Sequence, residues 1–280
     1  MYSFTGSTAV ILHKNTSFVG VGLRSFKKLL VFLIVAGCST ANALHYGLDL
    51  GARTYVRGAS ARLYAAHDSL LWGQKNSEQD WKFGLYRLQA GAATHGQLDA
   101  AFSIYPISFL ELNYQKKWAQ RYAAPSHLSC IGVQCYGSIE RDAVQVKLAL
   151  AYEKLLSLIS YSRQWVKAKN TNESVFDDLE NILILQNSDA AEIKSVFLGL
   201  KIDSEDDLVL GLVARSFEYE ASKIKNELFG LAVTRNLKWQ EKTFKLFGLL
   251  GTYRSDYSTE ALSVAVGAQY SWGDAPLALF

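Results

Sequence analysis

Apolar and polar side chains alternate along the segment from Glu260 to Trp272. Successive side chains of a β-strand point to opposite faces, so residues two apart share a face. One face of this segment is small or polar, from Ala261 to Ser271. The other is apolar and ends in an aromatic pair; it carries Leu262, Val264, Val266, Ala268, Tyr270 and Trp272. The pattern predicts a strand with lipid on one side and a watery space on the other.

The same period of two recurs along most of the chain. Twelve segments show it, the last of them the segment described above: residues 44–57, 61–72, 81–92, 96–105, 109–120, 141–152, 155–166, 191–202, 207–219, 227–239, 243–254 and 260–272. A tilted transmembrane strand needs about 9–11 residues, whereas strands of soluble proteins average about 5–6. We therefore predict an all-β protein, a transmembrane antiparallel up-and-down barrel of about 12 strands, with ten strands as the alternative if 61–72 is a loop.

Two connections are much longer than the others, residues 121–139 and 167–190. With the N-terminus on the inner side, a count of twelve strands puts both on the outer side, where barrels carry their longer loops. The second connection contains the apolar run Ile182–Leu185. We interpret that run as part of a structured loop, because one more spanning strand would make the strand count odd.

A secretory leader precedes the alternating segments. Basic residues, among them Arg24 and Lys28, come before the short apolar run 29–37, and Ala41-Asn-Ala43 follows. This order is typical of a signal peptide cleaved after Ala43. The alternative is lipidation of Cys38, since residues 35–38 resemble a bacterial lipobox. Residues 1–43 are thus expected to form an N-terminal extension with a signal peptide, and residues 44–280 the barrel.

The net charge changes once the leader is set aside. The 280-residue chain has 29 basic and 26 acidic residues and a net charge of +3. Residues 1–43 hold four of the basic residues and no acidic one, which leaves 25 against 26 in residues 44–280. The basic balance belongs to the leader, so the sequence offers no case for nucleic-acid binding.

These features together resemble the outer-membrane β-barrel proteins of Gram-negative bacteria. The resemblance rests on the leader, the alternating strands, the terminal Phe280 and aromatic residues at strand ends, namely Trp118, Trp165, Trp239, Tyr270 and Trp272. It implies a monomer in the bacterial outer membrane, with membrane lipids and the barrel-assembly machinery as partners. The sequence departs from the family at its end, because the alternation stops at Trp272, well before Phe280.

Charged residues recur on the face that this register turns inward. They are Asp49, Arg53, Arg57, Arg87, Asp99, Glu111, Lys147 and Arg215. Inside a barrel such charges either pair with one another or line a small, weakly selective pore. The leading hypothesis is a porin-like channel for small solutes. The alternative is a non-conducting barrel whose outer loops bind a ligand or partner.

Cys130 and Cys135 lie in the first long loop. Export to an oxidising compartment predicts a disulfide between them, which would stiffen the loop. His127 is the nearest further ligand, and no fourth one accompanies it, so we expect no metal. The sequence also gives no reason to expect a cofactor.

His67 and Ser69 form a pair with catalytic spacing. Residues two apart share a strand face, within hydrogen-bond reach for nucleophilic catalysis. The pair resembles the His-x-Ser motif of outer-membrane phospholipase A and of lipid A deacylase, which implies a lipid hydrolase as second alternative. However, Leu70 and Leu71 replace the Asn-Gly that follows the phospholipase serine, and no orienting residue matches in spacing. The sequence therefore favours a protein that is not an enzyme.

Overall fold

The computed structural model describes residues 42–54, 58–70, 83–94, 96–121, 137–169, 175–177, 182–184, 188–203, 207–239, 242–256 and 258–274. Twelve long strands form a closed barrel: β1 (Asn42–Arg53), β2 (Gly58–Leu70), β3 (Phe83–Ala93), β4 (Gln97–Ile107), β5 (Leu110–Arg121), β6 (Gly137–Tyr152), β7 (Leu155–Ala168), β10 (Ser188–Asp203), β11 (Leu208–Tyr219), β12 (Lys225–Trp239), β13 (Lys242–Ser255) and β14 (Ser258–Gly273). Two short strands, β8 (Val175–Asp177) and β9 (Ile182–Ile184), pair only with each other.

Each barrel strand pairs antiparallel with its neighbour in the chain, and β7 pairs with β10. The first and last strands also pair, from His45 opposite Gly273 to Arg53 opposite Ala265, and this closes the barrel. The prediction of twelve strands is confirmed. The ten-strand alternative is wrong, because β2 pairs along its length with both β1 and β3.

The apolar run in the second long connection lies outside the barrel sheet. Ile182–Ile184 forms β9, whose partner is β8 within the same connection. The interpretation of this run as loop structure is therefore confirmed. Three residues of strand are too few to cross a membrane.

The two ends of the barrel differ in their connections. Asn42 and Gly273 lie at one end, called here the inner end. The β5–β6 and β7–β10 connections, which are the longest two in the sequence, lie at the opposite end, called the outer end. Longer loops are extracellular in outer-membrane barrels, which sets the orientation.

The outward face is a continuous apolar surface. Outward side chains pair in rows across strands, as Leu48 does with Leu63 and Tyr270. They are well exposed, with Leu262 at 67% and Leu231 at 61%. An apolar surface this extensive is stable against lipid and not against water.

Aromatic side chains border this surface. At the inner end Phe244, Tyr270, Trp272 and Tyr46 stack in sequence, with ring centroids 4.8, 5.4 and 5.9 Å apart. Towards the outer end, Lys116 lies over Trp118 and Arg163 over Trp165. Rings with one apolar and one polar side suit the two membrane–water interfaces.

One turn differs from its sequence prediction. The predicted segments 96–105 and 109–120 place a turn at residues 106–108, but β4 continues to Ile107 and the turn falls at Ser108 and Phe109. The β4–β5 register shifts between Ile104 and Ile107. Proline has no N–H to donate, and an irregularity in the ladder lets a strand accommodate it.

The closing seam ends in a clamp on β1. Gly273 has a φ of 95°, which favours glycine, and a Cβ there would lie 2.7 Å from the Leu44 carbonyl oxygen. The next residue, Asp274, donates its N–H to that oxygen at 3.0 Å. Its Oδ2 accepts the Leu44 N–H at 2.9 Å. Residues 275–280, including the terminal Phe280, lie outside the described residues.

Candidate functional site: the barrel lumen

The lumen is lined by the positions that alternate with the apolar outward rows. Of the residues predicted to line it, the described ones all occupy inward positions: Asp49, Arg53, Arg87, Asp99, Glu111, Lys147 and Arg215. Arg57 lies outside the described residues. The strand register thus groups these side chains on one surface, and their role in passage of solutes stays a prediction.

Arg62 is the centre of the first inward ion-pair network. Its Nη1 lies 3.3 Å from Asp49 Oδ2 on β1. Its Nε and Nη2 donate to Asp99 on β4 at 2.9 and 2.6 Å. This bidentate geometry is the strong form of an arginine–carboxylate pair. Arg62 was not among the predicted lumen residues, although it lies in the predicted strand 61–72 and pairs directly with the inward Asp49.

Gly91 lets Arg62 reach across β3. A Cβ at this position would lie 3.0 Å from both Arg62 Nε and Asp99 Oδ1. Any side chain here would therefore crowd the bonds that join β2 to β4. Glycine at position 91 therefore gives the Arg62–Asp99 pair its close fit over β3.

Arg87 is the centre of a second network nearer the inner end. Its Nε and Nη2 donate to Asp68 Oδ1 and Oδ2 at 2.7 and 2.9 Å. Its guanidinium also lies 5.7 Å from the centre of the Tyr105 ring. Asp68 and Tyr105 are both buried. A buried carboxylate requires such a partner, because an unpaired charge there costs several kcal/mol.

Glu111 joins a third network on β4–β6. Its Oε1 accepts the Ser103 hydroxyl at 2.7 Å, and its Oε2 accepts Lys147 Nζ at 2.9 Å. Asn113 Nδ2 donates to Ser103 Oγ at 2.7 Å. The three networks lie on β1–β6, whose inward face we call the charged wall.

The inward face of β10–β13 has a different character, and we call it the apolar wall. It includes Phe197, Val209, Val213, Phe217, Leu228 and Leu249. Phe247 lies against Gly267, where an added Cβ would be 1.9 Å from the ring. Arg215 lies among these residues, with its guanidinium 6.0 Å from the centre of the Phe217 ring, and Lys201 and Lys245 lie nearer the inner end of the same wall.

Basic residues outnumber acidic ones on the described inward face. At the inward positions of the barrel strands, nine side chains are basic and five acidic: Arg53, Arg62, Arg87, Lys117, Arg141, Lys147, Lys201, Arg215 and Lys245 against Asp49, Asp68, Asp99, Glu111 and Asp189. A sixth acid, Asp207, lies just before β11 and pairs with Lys201. The composition of residues 44–280 does not show this excess of basic side chains, because acidic residues at outward positions and in the connections balance it.

A buried apolar cluster occupies the outer end of the lumen on one side. It comprises Ile139, Val166, Ala168, Ala191, Phe217, Tyr219 and Ile224. The Phe217 and Tyr219 rings meet edge to face at 4.9 Å. Beside them, Asp189 accepts the N–H groups of Ala221 and Ser222 at 2.8 and 3.0 Å, which holds the β11–β12 turn against β10.

His67 and Ser69 share the outward face of β2, opposite to the lumen. Both are buried, and the His67 ring lies 6.1 Å from that of Tyr86. Asp68 between them points inward and is bonded to Arg87. The acid next to the pair in sequence is thus on the other face of the strand.

The three cysteines, Cys38, Cys130 and Cys135, lie outside the described residues, as do residues 1–41 of the predicted leader, whereas Asn42 and Ala43 belong to β1 and pair with β2. In the part of the chain that the structure describes, no group of three or more His, Cys, Asp or Glu side chains is placed to hold a metal ion. Within the same residues, no helix is long and apolar enough to cross a membrane.

The sequence matches no protein-family model and no curated protein. Solved structures with a similar course of the chain include the β domain of the Bordetella autotransporter BrkA, with a TM-score of 0.43, 10% identity, and coverage of 82% of this chain and 99% of that one. The NanC porin has a TM-score of 0.43 and 12% identity, and the match covers 80% of this chain and 98% of the porin. An outer-membrane channel from Pseudomonas putida F1 has a TM-score of 0.44 and 12% identity, and the match covers 84% of this chain and 97% of the channel.

The fold is established by the structure itself. A closed antiparallel barrel of twelve strands, with an apolar outward face between aromatic borders, is the architecture of bacterial outer-membrane proteins. The protein is an outer-membrane β-barrel. The prediction of this architecture and of an outer-membrane location is confirmed, and the solute or ligand is a separate question.

Proposed function

We propose that the protein is a channel for small solutes. The observation that carries this proposal is the placement of the inward ion pairs. Arg62 with Asp49 and Asp99, Arg87 with Asp68, and Lys147 with Glu111 all join strands of the charged wall. Pairs that lie along a wall line a passage, whereas pairs that join opposite walls would obstruct it.

The channel is expected to favour anions. Basic side chains exceed acidic ones on the described inward face, and a charged lining in a narrow, low-dielectric passage concentrates the opposite sign. Arg215 is placed to contribute, because it extends from the apolar wall beside Phe217. The solutes are therefore small and anionic or neutral.

Planar-bilayer recording of the purified barrel tests the channel. We expect discrete conductance steps and a reversal potential on the anion side in a salt gradient. Arg215→Glu should move the reversal potential towards cations. Arg163→Glu is the matched control, because Arg163 points outward, where it pairs with Glu220 at 2.6 Å, and should leave ion selectivity unchanged. A folded, heat-modifiable protein without conductance would contradict the proposal.

A closed barrel whose outer loops bind a partner is the second candidate function. The buried cluster around Phe217 and Tyr219 favours it, because an apolar cluster at the outer end narrows that mouth. Phe217→Ser distinguishes the two candidates. If the wild type is closed, the variant should conduct where the wild type does not. If the wild type conducts, the variant should only enlarge the conductance.

A further inference from the structure

We propose that the outward surface of β10–β13 binds one phosphate-bearing, multiply acylated lipid of the outer leaflet. This surface combines a polar cavity near the outer end with an apolar groove directly below it. The site lies outside the lumen, so it is independent of the channel proposal.

The polar cavity, called here the head-group cavity, has a volume of about 450 Å³. The register places Lys194, Ser216, Glu227 and Arg254 in one outward row across the four strands. The row below consists of Val196, Ala214, Phe229 and Thr252. Ser216 and Ala214 are smaller than their neighbours on both sides, so they leave the depression that forms the cavity.

The apolar groove, called here the acyl groove, continues down the same strands and has a volume of about 640 Å³. Leu198, Leu212 and Leu231 form the row next below Val196, Ala214 and Phe229. The groove then extends to Leu200 and Leu210 and across to Leu150 and Leu155 on β6 and β7. Its lining is that of a hydrocarbon site.

The dimensions fit one leaflet. From Lys194 to Leu200 the strand rises about 20 Å at roughly 3.3 Å per residue. A strand tilted by about 45° therefore covers roughly 14 Å of membrane depth, close to half of the roughly 30 Å hydrocarbon core. A lipid with its head group in the cavity would thus place its acyl chains along the groove.

The charges favour a phosphate in the head-group cavity. The charged outward side chains that line the cavity are Lys194, Arg254 and Glu227, and Glu227 Oε1 lies 2.5 Å from Lys225 Nζ, so the cavity itself has an excess of basic groups. In the row above, Glu218 lies opposite both Glu192 and Lys225, and Glu192 Oε2 lies 3.1 Å from Lys194 Nζ. Arg254 has no ion pair within the described residues. Arg254 and Lys194 border the cavity with the hydroxyl-bearing Ser216 and Thr252. Guanidinium, ammonium and hydroxyl groups are donors for phosphate oxygens.

Native mass spectrometry of the purified full chain in detergent tests the proposal. The probes are bisphosphorylated lipid A, lipid A with the phosphates removed, and phosphatidylglycerol. We expect one bisphosphorylated lipid A per barrel, bound about tenfold more tightly than the dephosphorylated form, as one charge-assisted hydrogen bond would give. Phosphatidylglycerol, with fewer acyl chains and a single phosphate, should bind more weakly than either.

Two variants locate the site. Ala214→Phe fills the cavity floor and should lower affinity for both lipid A forms. Lys194→Gln combined with Arg254→Gln should remove the preference for the phosphorylated form and leave dephosphorylated binding unchanged. The controls are Ala268→Phe, an outward alanine on β14, and Arg163→Gln, an outward arginine on β7. Heat-modifiable migration confirms that each variant is folded.

The proposal is overturned if the variants and their controls retain equal amounts of lipid. It is also overturned if phosphatidylglycerol binds as tightly as lipid A, since the surface would then be unselective. A dimer of barrels with no bound lipid would overturn it as well, because a second copy would then occupy the groove.

Discussion

At the scale of single residues, the inward charges are held by close contacts that the sequence does not show. Asp99 is fully buried in its side chain and depends on Arg62 for its partner. Arg62 in turn depends on Gly91, over which it reaches β4. A charge, its partner and a glycine on three different strands thus form one unit.

Gly91→Val tests this unit. The new side chain would enter the space between Arg62 and Asp99, leaving a buried carboxylate without its partner. We expect a loss of about 2 kcal/mol in the free energy of unfolding, as for other broken buried networks. The measurement is urea unfolding of the barrel refolded in detergent micelles.

Gly51→Val is the matched control. Gly51 is also inward, but its nearest neighbour to an added Cβ is Ser60 Oγ at 3.8 Å, an ordinary contact. Its substitution should change stability by less than Gly91→Val. Equal losses at the two positions would show that the network does not depend on Gly91.

At the scale of elements, the strand ends explain how the barrel is closed. Leu44 on β1 exchanges two hydrogen bonds with Asp274, just after β14. Lys225 on β12 does the same with Asp256, just after β13, at 2.7 and 3.2 Å. The two clamps have the same chemistry, but β12 and β13 are also connected in the chain by only two residues at their other end, whereas β1 and β14 are the first and last strands of the barrel.

Asp274→Ala should therefore weaken closure more than Asp256→Ala. The first substitution removes an acceptor from the seam that has no covalent hairpin, and we expect about 1 kcal/mol of lost stability. The folded band on unheated SDS gels should convert at a lower temperature for Asp274→Ala than for Asp256→Ala. The same conversion temperature in both variants would mean that the seam is no weaker than an ordinary strand pair.

At the scale of the whole molecule, the apolar outward face makes the folded barrel stable in a membrane and not in water. Its outward rows are dominated by exposed leucine, valine and aromatic residues, whereas most of the charged side chains of β1–β6 lie inside. This is the reverse of a soluble protein, in which the apolar residues are inside. The arrangement is stable only where the outside is hydrocarbon.

Leu250→Lys and Leu249→Lys test this arrangement with two adjacent residues of β13. Leu250 is outward and 50% exposed, whereas Leu249 is its inward neighbour. A lysine facing lipid near the middle of the membrane costs about 2–4 kcal/mol. We expect Leu250→Lys to lower the free energy of folding into lipid vesicles by that amount, and Leu249→Lys to have a smaller effect. A larger loss for Leu249→Lys than for Leu250→Lys would mean that Leu249 faces the lipid and Leu250 the lumen.

The approximate strand bounds, the two faces of each strand and the leading count of twelve strands all follow from the sequence. Side chains alternate between the two faces of a strand with a period of two, and this alternation is a local property. The lipid-facing and lumen-facing positions of a segment such as 260–272 can therefore be assigned from that segment alone. The inward positions of Asp49, Arg87, Asp99 and Glu111 follow from the same parity. The place of Ile182–Ile184 outside the barrel follows from the need for an even number of strands.

Tertiary structure decided which charges meet and where the surface is indented. The pairing of Arg62 with Asp99 joins residues 37 positions apart across an intervening strand, and no local pattern encodes that distance. The shift at Pro106 depends on how β4 pairs with β5. Likewise, Ser216 and Ala214 form a cavity only because the register sets larger side chains beside them. Contacts between strands depend on register, and register is a property of the closed barrel rather than of any one segment.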